Sequence, residues 1–375
     1  MSESSTQNFP FQKFHFIGLG LIGGSIAKAV RKTQPDAVIN VYARHPEKLC
    51  HALSDKVVNR VNGSITDIDK DTDVIFLCAP TGANIKNLEN IKKYISGINP
   101  HVLITDVGSV KGDIQNAVDD MGLSASFLGG HPMTGKEKTG YESADAAILE
   151  NAYYILTPSK ETGAEFTERF SEFVKQIHSI PLCAAPKEHD FATAAISHLP
   201  HLIAASLVKT VKDHDSSDEF MKTIAAGGFK DITRIASSDP SMWENICRSN
   251  TENIRVLLRD YIRELEKTDA VLASGDFDKI NELFKESGAY RASMPEKGRG
   301  PIPPIFRIYV DIPDESGAIA GIATLLAKYD ISIMNTGITH NREQAEGALY
   351  IEFYDENAMN KAIPIVKEAG YKLIF

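Results

Sequence analysis

Three observations predict the fold class. A short apolar strand runs into Gly18-Leu19-Gly20-Leu21-Ile22-Gly23 and then into a helical period; a long central stretch shows helical periods without strands; and the last segment alternates as strand, helix, strand, strand, helix, strand. Together they predict an α/β Rossmann-type dinucleotide-binding domain, then an all-α helical domain, then a small α+β ferredoxin-like domain. The expected limits are 1–183, 184–292 and 305–375, with a linker over 293–304.

The first strand is expected over Phe14 to Ile17 and the first helix over Ile22 to Arg31. Between them Gly18 makes the tight turn, Gly20 lets the backbone approach a pyrophosphate, and Gly23 allows close helix packing. Leu21 and Ile22 then stand at a helix N-terminus that faces the phosphates. The next strand, Val38 to Tyr42, ends at Ala43-Arg44-His45, where an NAD-specific fold usually carries an acid. Arg44 can instead meet a ribose phosphate, so NADP is expected to be accepted; a solvated loop charge is the other reading.

Strands Asp73 to Ala79 and His101 to Val107 place two more loops at the same sheet edge. Ala79 and Pro80 are expected against the cofactor. Ser109 and Lys111 can meet cofactor or substrate, although Lys111 reads equally well as a surface charge at a helix start. A short strand from Ser126 to Leu128, a strand from Tyr153 to Thr157 and a helix from Glu161 to Ile177 complete the domain.

Leu128 to Gly140, LGGHPMTGKEKTG, fits neither a helix nor a strand period and is expected to be a loop. Its His131 titrates near neutrality in water and so suits general acid or base work. Taken alone, a surface histidine is the competing reading.

Pro186 suits the first turn of a helix on which Asp190, Ser197 and His201 share a face. Pro200 is expected to bend or end that helix. His198 and His201 lack the further ligands that a metal site needs, so no metal is expected. In Gly227-Gly228-Phe229-Lys230-Asp231-Ile232-Thr233-Arg234-Ile235, Lys230 and Arg234 fall on one side. Arg234, between two isoleucines read as buried, suits a carboxylate; an ion pair with Asp190 or Asp231 is the alternative. Trp243 opens an expected helix from Met242 to Leu265, as core or as part of a cleft or interface.

Arg291 to Pro304 is rich in proline, glycine and charge and reads as a linker. The βαββαβ tail follows, with strands Ile305–Ile312, Ile331–Thr339, Gly347–Tyr354 and Tyr371–Phe375, a helix over Ala318–Tyr329, and a second helix from Asn357 that Pro364 is expected to interrupt.

The chain has 375 residues and a formal net charge of -10, with no basic run, which argues against nucleic acid or an anionic membrane as partner. Cys50, Cys78, Cys183 and Cys247 are scattered and suggest neither disulfides nor zinc. The polar start lacks the pattern of a secretory signal and no apolar run reads as long enough to span a bilayer, so a cytoplasmic protein is expected.

GLGLIGGS, DVGSVK, GGHPMTGKEKTG, the EHD and SHLPH segments and GGFKDITRIA, in this order, resemble bacterial prephenate dehydrogenases, and the tail resembles an ACT domain. The resemblance implies oxidative decarboxylation of prephenate to 4-hydroxyphenylpyruvate with NAD or NADP as hydride acceptor, in a homodimer formed by the helical domains. It implies that His131 bonds the ring hydroxyl, that Ser109 lies near that hydroxyl and the nicotinamide, and that Arg234 holds a substrate carboxylate. It places Asp190, Ser197 and His201 along the cleft, Glu137 and Lys230 as a charged pair at its gate, and Trp243 reaching it across the dimer. In the tail, Gly317 and Asn335 correspond to regulatory positions, with tyrosine the implied effector. An arogenate dehydrogenase, a hydroxyacid dehydrogenase of similar build and a non-catalytic ligand sensor are the alternatives.

Overall fold

The computed structural model describes residues 9–374 except 96, 100, 137, 295–305, 314, 316 and 340–347. It divides into two compact units, 1–300 and 301–375.

The first unit begins with β1 (Lys13–Ile17), α1 (Leu21–Thr33), β2 (Val38–Tyr42), α2 (Cys50–Ser54), β3 (Arg60–Asn62), β4 (Val74–Leu77) and α3 (Thr81–Ile95). It continues with β5 (Leu103–Asp106), α4 (Gly112–Met121), β6 (Phe127–Pro132), β7 (Tyr153–Pro158), α5 (Ala164–Gln176) and β8 (Ile180–Cys183). The strands form one sheet in the order β3-β2-β1-β4-β5-β6-β7-β8. All neighbours are parallel except β6 and β7. The order reverses between β1 and β4, which is where an open α/β sheet leaves a crevice at the strand C-termini.

Alternation within the strands builds both cores. Phe14 and Phe16 of β1 and Phe76 of β4 pack on one face with Phe170 and Phe173 of α5. Ile17, Ile75 and Leu77 point to the other, against Leu88 and Ile91 of α3 and Ile114 and Val118 of α4. His15 is on that second face, fully buried, and neither ring nitrogen has a partner among the described residues.

The sheet corrects one sequence expectation. Leu128 to Pro132 is not loop but the body of β6, paired antiparallel to β7 with His131 opposite Ile155. Two glycines disguise the strand because nothing larger fits: a Cβ on Gly129 would stand 2.2 Å from Thr157 Oγ1, and one on Gly130 2.7 Å from the Asp106 carbonyl.

The helical part comprises α6 (Pro186–Thr193), a π-turn (Ala194–His198), α7 (Leu199–His214), α8 (Phe220–Ile224), α9 (Gly227–Thr233), α10 (Pro240–Ser249), α11 (Thr251–Ser274) and α12 (Phe277–Ser293). Of the two outcomes expected at Pro200, a bend or an end, the helix does not end there. The π-turn just before it widens the backbone, so α6 and α7 form one run from Pro186 to His214. That run is also a correction: by length and composition it is apolar enough to cross a membrane, although His198, Pro200 and His201 mask this in the sequence. Only 22% of its apolar window is buried within the chain. The single helix expected from Met242 to Leu265 is two, broken at Asn250. Residues 291–293, expected in the linker, belong to α12.

The second unit contains β9 (Phe306–Asp311), α13 (Ala318–Ala327), β10 (Ile333–Thr339), β11 (Ala348–Phe353), α14 (Glu356–Glu368) and β12 (Lys372–Ile374). Its antiparallel sheet runs β10-β11-β9-β12. Ile308, Val310, Leu349 and Ile351 form a core with Ile322 and Leu326 of α13 and Ala362 and Val366 of α14. Pro364 does not interrupt α14: it lies exposed on the outer side, where the carbonyl it leaves unbonded can meet water.

Candidate active site

The crevice between β1 and β4 is built for a dinucleotide. Gly18 has φ +89, which turns the chain sharply after β1, and its N–H donates to the Tyr42 carbonyl at 2.7 Å. Gly20 stands before α1 with no side-chain cap, and nothing lies within 4 Å of where its Cβ would be. The first-turn N–H groups of α1 therefore face space that a pyrophosphate fits. A cleft of about 600 Å³ is lined by Gly18, Ala43, Arg44, Ala79, Pro80 and Lys86. A second, of about 440 Å³, is lined by Gly20, Leu21, Ile22, Ala79, Pro80, Ser109 and, from α10, Met242 and Asn245. Ala79 and Pro80 belong to both, so the two form one groove. Gly23 lines neither; a Cβ there would strike Cys78 Sγ at 2.8 Å, as close packing of α1 requires.

Where β6 meets α6, three side chains connect in series. His131 Nδ1 lies 2.8 Å from His189 Nε2, and His189 Nδ1 lies 2.9 Å from Asp190 Oδ1. Asp190 also accepts hydrogen bonds from the backbone N–H groups of Lys111 and Gly112, both at 2.8 Å. It thereby caps α4, with its negative charge at the positive end of the helix dipole. Its carboxylate is committed to these partners, so the structure uses Asp190 to join two parts of the chain rather than leaving it along the cleft wall.

Lys111, which the sequence left between ligand contact and surface charge, is neither exposed nor at the cleft. It is 1% exposed, and its ammonium donates to Asp106 Oδ2 at 2.5 Å and to the Gly130 carbonyl at 2.7 Å. Burial pulls its pKa down, against the opposing pull of Asp106 and Asp190.

These surroundings correct the expectation that His131 titrates near neutrality. Burial, followed by the charges of His189, Lys111 and His198, holds it well below the ordinary imidazole range, although part of its surface stays open. At neutral pH the ring is uncharged and able to accept a proton.

His198 is buried and accepts from the Asn250 side-chain amide at 3.1 Å; burial lowers its pKa to about 4. The same amide, at the break between α10 and α11, donates to the Asp190 carbonyl at 2.7 Å. His201 donates from Nδ1 to the Ser197 carbonyl and stacks on Trp243 of its own chain with centroids 3.8 Å apart. They line a small cavity of about 190 Å³ with Ile235 and Ser238. Arg234 is close enough for its charge to lower the His201 pKa, behind the larger effect of burial. The expectation that the isoleucines flanking Arg234 are buried is wrong: Ile232 is 56% exposed and Ile235 half-buried, because α9 ends at Thr233 and Arg234 opens a 3₁₀ turn on the surface.

Lys230 is an exposed residue of α9. Glu137 lies outside the described residues. Gly317, at φ +95, precedes α13, and Asn335 donates to Glu352 Oε2 at 3.0 Å; both belong to the second unit. Sequence reasoning missed His189 and Asn250. His189 sits in the EHD segment, but its partner is 58 residues away; Asn250 had no signal beyond being a polar break in a helical run.

Comparison with known proteins agrees with this geometry. Residues 26–180 match the model of the prephenate dehydrogenase nucleotide-binding domain, and residues 185–286 that of the prephenate dehydrogenase dimerization domain. Prephenate dehydrogenase of Bacillus subtilis is 37% identical over 346 residues, covering 92% of this chain and 93% of the relative. That of Lactococcus lactis subsp. cremoris is 32% identical, covering 96% and 98%. Among solved structures, prephenate dehydrogenase from Aquifex aeolicus in complex with hydroxyphenyl propionate and NAD+ superposes with a TM-score of 0.69 at 29% identity, covering 76% of this chain and 98% of that one. The chain belongs to the prephenate dehydrogenase family.

Proposed function

We propose that this enzyme converts prephenate to 4-hydroxyphenylpyruvate by oxidative decarboxylation with hydride transfer to NAD(P)+, in L-tyrosine biosynthesis in the cytoplasm. The observation that carries the reading is a dinucleotide-length groove ending at Ser109, two residues before the lysine that holds the strand bearing an uncharged, partly open His131. The nicotinamide, when bound, supplies the hydride acceptor. His131 accepts the ring hydroxyl proton as hydride leaves the same carbon; loss of carbon dioxide aromatises the ring, and the phenolate oxygen recovers the proton. No net proton is then released. Ser109 orients the hydroxyl, Arg234 binds a substrate carboxylate, and Ser197, His201 and Trp243 line the substrate side, with Lys230 at its mouth.

The domain limits are proposed as 1–183, 184–292 and 305–375, with a linker over 293–304. A homodimer through the helical domain is supported by apolar side chains left open there, among them Ile196 at 68%, Ile224 at 60% and Phe284 at 74% exposure. NADP is accepted as well as NAD, because Arg44 and Lys86 line the ribose-side cleft without a hydrogen bond or ion pair among the described residues, and Ala43 replaces the usual acid. The terminal unit is an ACT domain that senses tyrosine, supported by its βαββαβ order.

Reduced-cofactor absorbance with prephenate and arogenate, each with NAD and with NADP, tests the assignment. Turnover of prephenate with release of carbon dioxide is expected. Turnover of arogenate alone would replace the substrate, and no turnover of either would overturn the reading.

A further inference from the structure

We infer that His189 is a positioning residue that fixes the tautomer of His131, so that Nε2 of His131 is the atom that receives the substrate proton. This rests on the assignment of His131 as base. Nothing in the sequence resemblance gives His189 a role; the geometry does.

A carboxylate has no proton to give, so at the 2.9 Å contact His189 Nδ1 is the donor and Asp190 Oδ1 the acceptor. In the neutral ring, Nε2 of His189 then carries a lone pair. Across 2.8 Å it can only accept, which places the proton of His131 on Nδ1 and leaves Nε2 as its lone pair. When His131 becomes imidazolium, its Nδ1–H keeps the same partner, so the hydrogen bond strengthens during proton transfer without any group having to turn.

The series is rigid. His189 is 3% and Asp190 5% exposed, the rings of His131 and His189 cross at 76°, and the Asp190 oxygens are held by the backbone N–H groups of Lys111 and Gly112. Asp190 therefore acts on the reaction through His189 and not as a ligand of the substrate. Lys111 and His198 are the other titratable groups whose charge reaches His131, and Asp106 neutralises the first.

Two variants separate positioning from a structural role. His189→Phe removes the acceptor facing His131, whereas His189→Gln can return a carbonyl oxygen to it. His189→Phe is expected to lower kcat about 10- to 100-fold, the usual range for a residue that orients a ligating or catalytic histidine, with KM for prephenate changed less than about threefold. His189→Gln recovers most of the loss. If His189→Gln is as impaired as His189→Phe, or if KM rises while kcat holds, the inference fails. ¹⁵N NMR of the wild-type imidazoles gives an answer independent of both variants and of turnover: His131 protonated on Nδ1 is expected, and protonation on Nε2 would overturn the assignment. A wild-type enzyme inactive on prephenate but with His131 in the expected tautomer would instead discredit the proposed reaction.

Discussion

Lys111 Nζ and Asp106 Oδ2 are 2.5 Å apart with both side chains 1% exposed, and Asp106 also accepts from the N–H groups of Gly108 and Gly130. One buried ion pair thus ties the loop after β5 to the strand that carries His131. Lys111→Met would strand the carboxylate, and breaking a buried pair from one side typically costs about 3–5 kcal/mol. Urea denaturation is expected to show a loss of that order, partly restored in the double variant with Asp106→Asn. A loss below about 1 kcal/mol would mean that water reaches the pair.

His131→Asn is expected to reduce kcat by about two to four orders of magnitude with a small change in KM, as for removal of a general base. Arg234→Gln should show the opposite split, with a KM for prephenate raised about tenfold or more and kcat affected less, since an anchor made equally in ground and transition states acts on KM. Steady-state kinetics of both variants provide the check.

Arg44→Asp should discriminate between the cofactors. A carboxylate beside the ribose favours its free hydroxyls and repels a phosphate, so kcat/KM with NADP is expected to fall at least about tenfold while that with NAD holds or rises. An equal change with both would remove Arg44 from cofactor choice.

His15 makes stability depend on pH. Burial lowers its pKa to about 4 from the ordinary 6.5. The unfolded chain then binds more protons below neutrality, so stability is full above the unfolded pKa and is lost as pH falls from about 6.5 towards 4. Between pH 7 and 5 this amounts to about 2 kcal/mol. His15→Val should lose correspondingly less stability than wild type over that interval, as read from denaturation midpoints at the two pH values.

Removing residues 305–375 is expected to abolish inhibition by tyrosine while leaving prephenate turnover measurable. Inhibition that survives the truncation would move the effector to the active site.

The strands and helices around the crevice were legible because their signals are local: glycine spacing, alternation and runs of apolar residues. β6 was truncated at Leu128 because glycine, normally a strand breaker, is required there by Thr157 and the Asp106 carbonyl, which only the assembled sheet reveals. Asp190 was found but given the wrong task, since its partners are backbone groups 78 and 79 residues away and backbone leaves no trace in residue identity. The uncharged state of His131 depends on burial and on Lys111, His189 and His198, which come from other parts of the chain. Pro200 disturbs its helix only through the π-turn before it, whereas Pro364 misled because water can take up the carbonyl that a proline leaves unbonded.

The cap that Asp190 places on α4 also bears on how the protein comes apart. An α/β domain is usually a self-sufficient folding unit, yet here the start of one of its helices is completed by a carboxylate from α6, and α6 is in turn held by Asn250 at the head of α11. The boundary near residue 184 is therefore a boundary of architecture and not of cooperativity. Nucleotide-binding and helical parts should melt in one transition, and cofactor binding to the first should raise the melting temperature of the second.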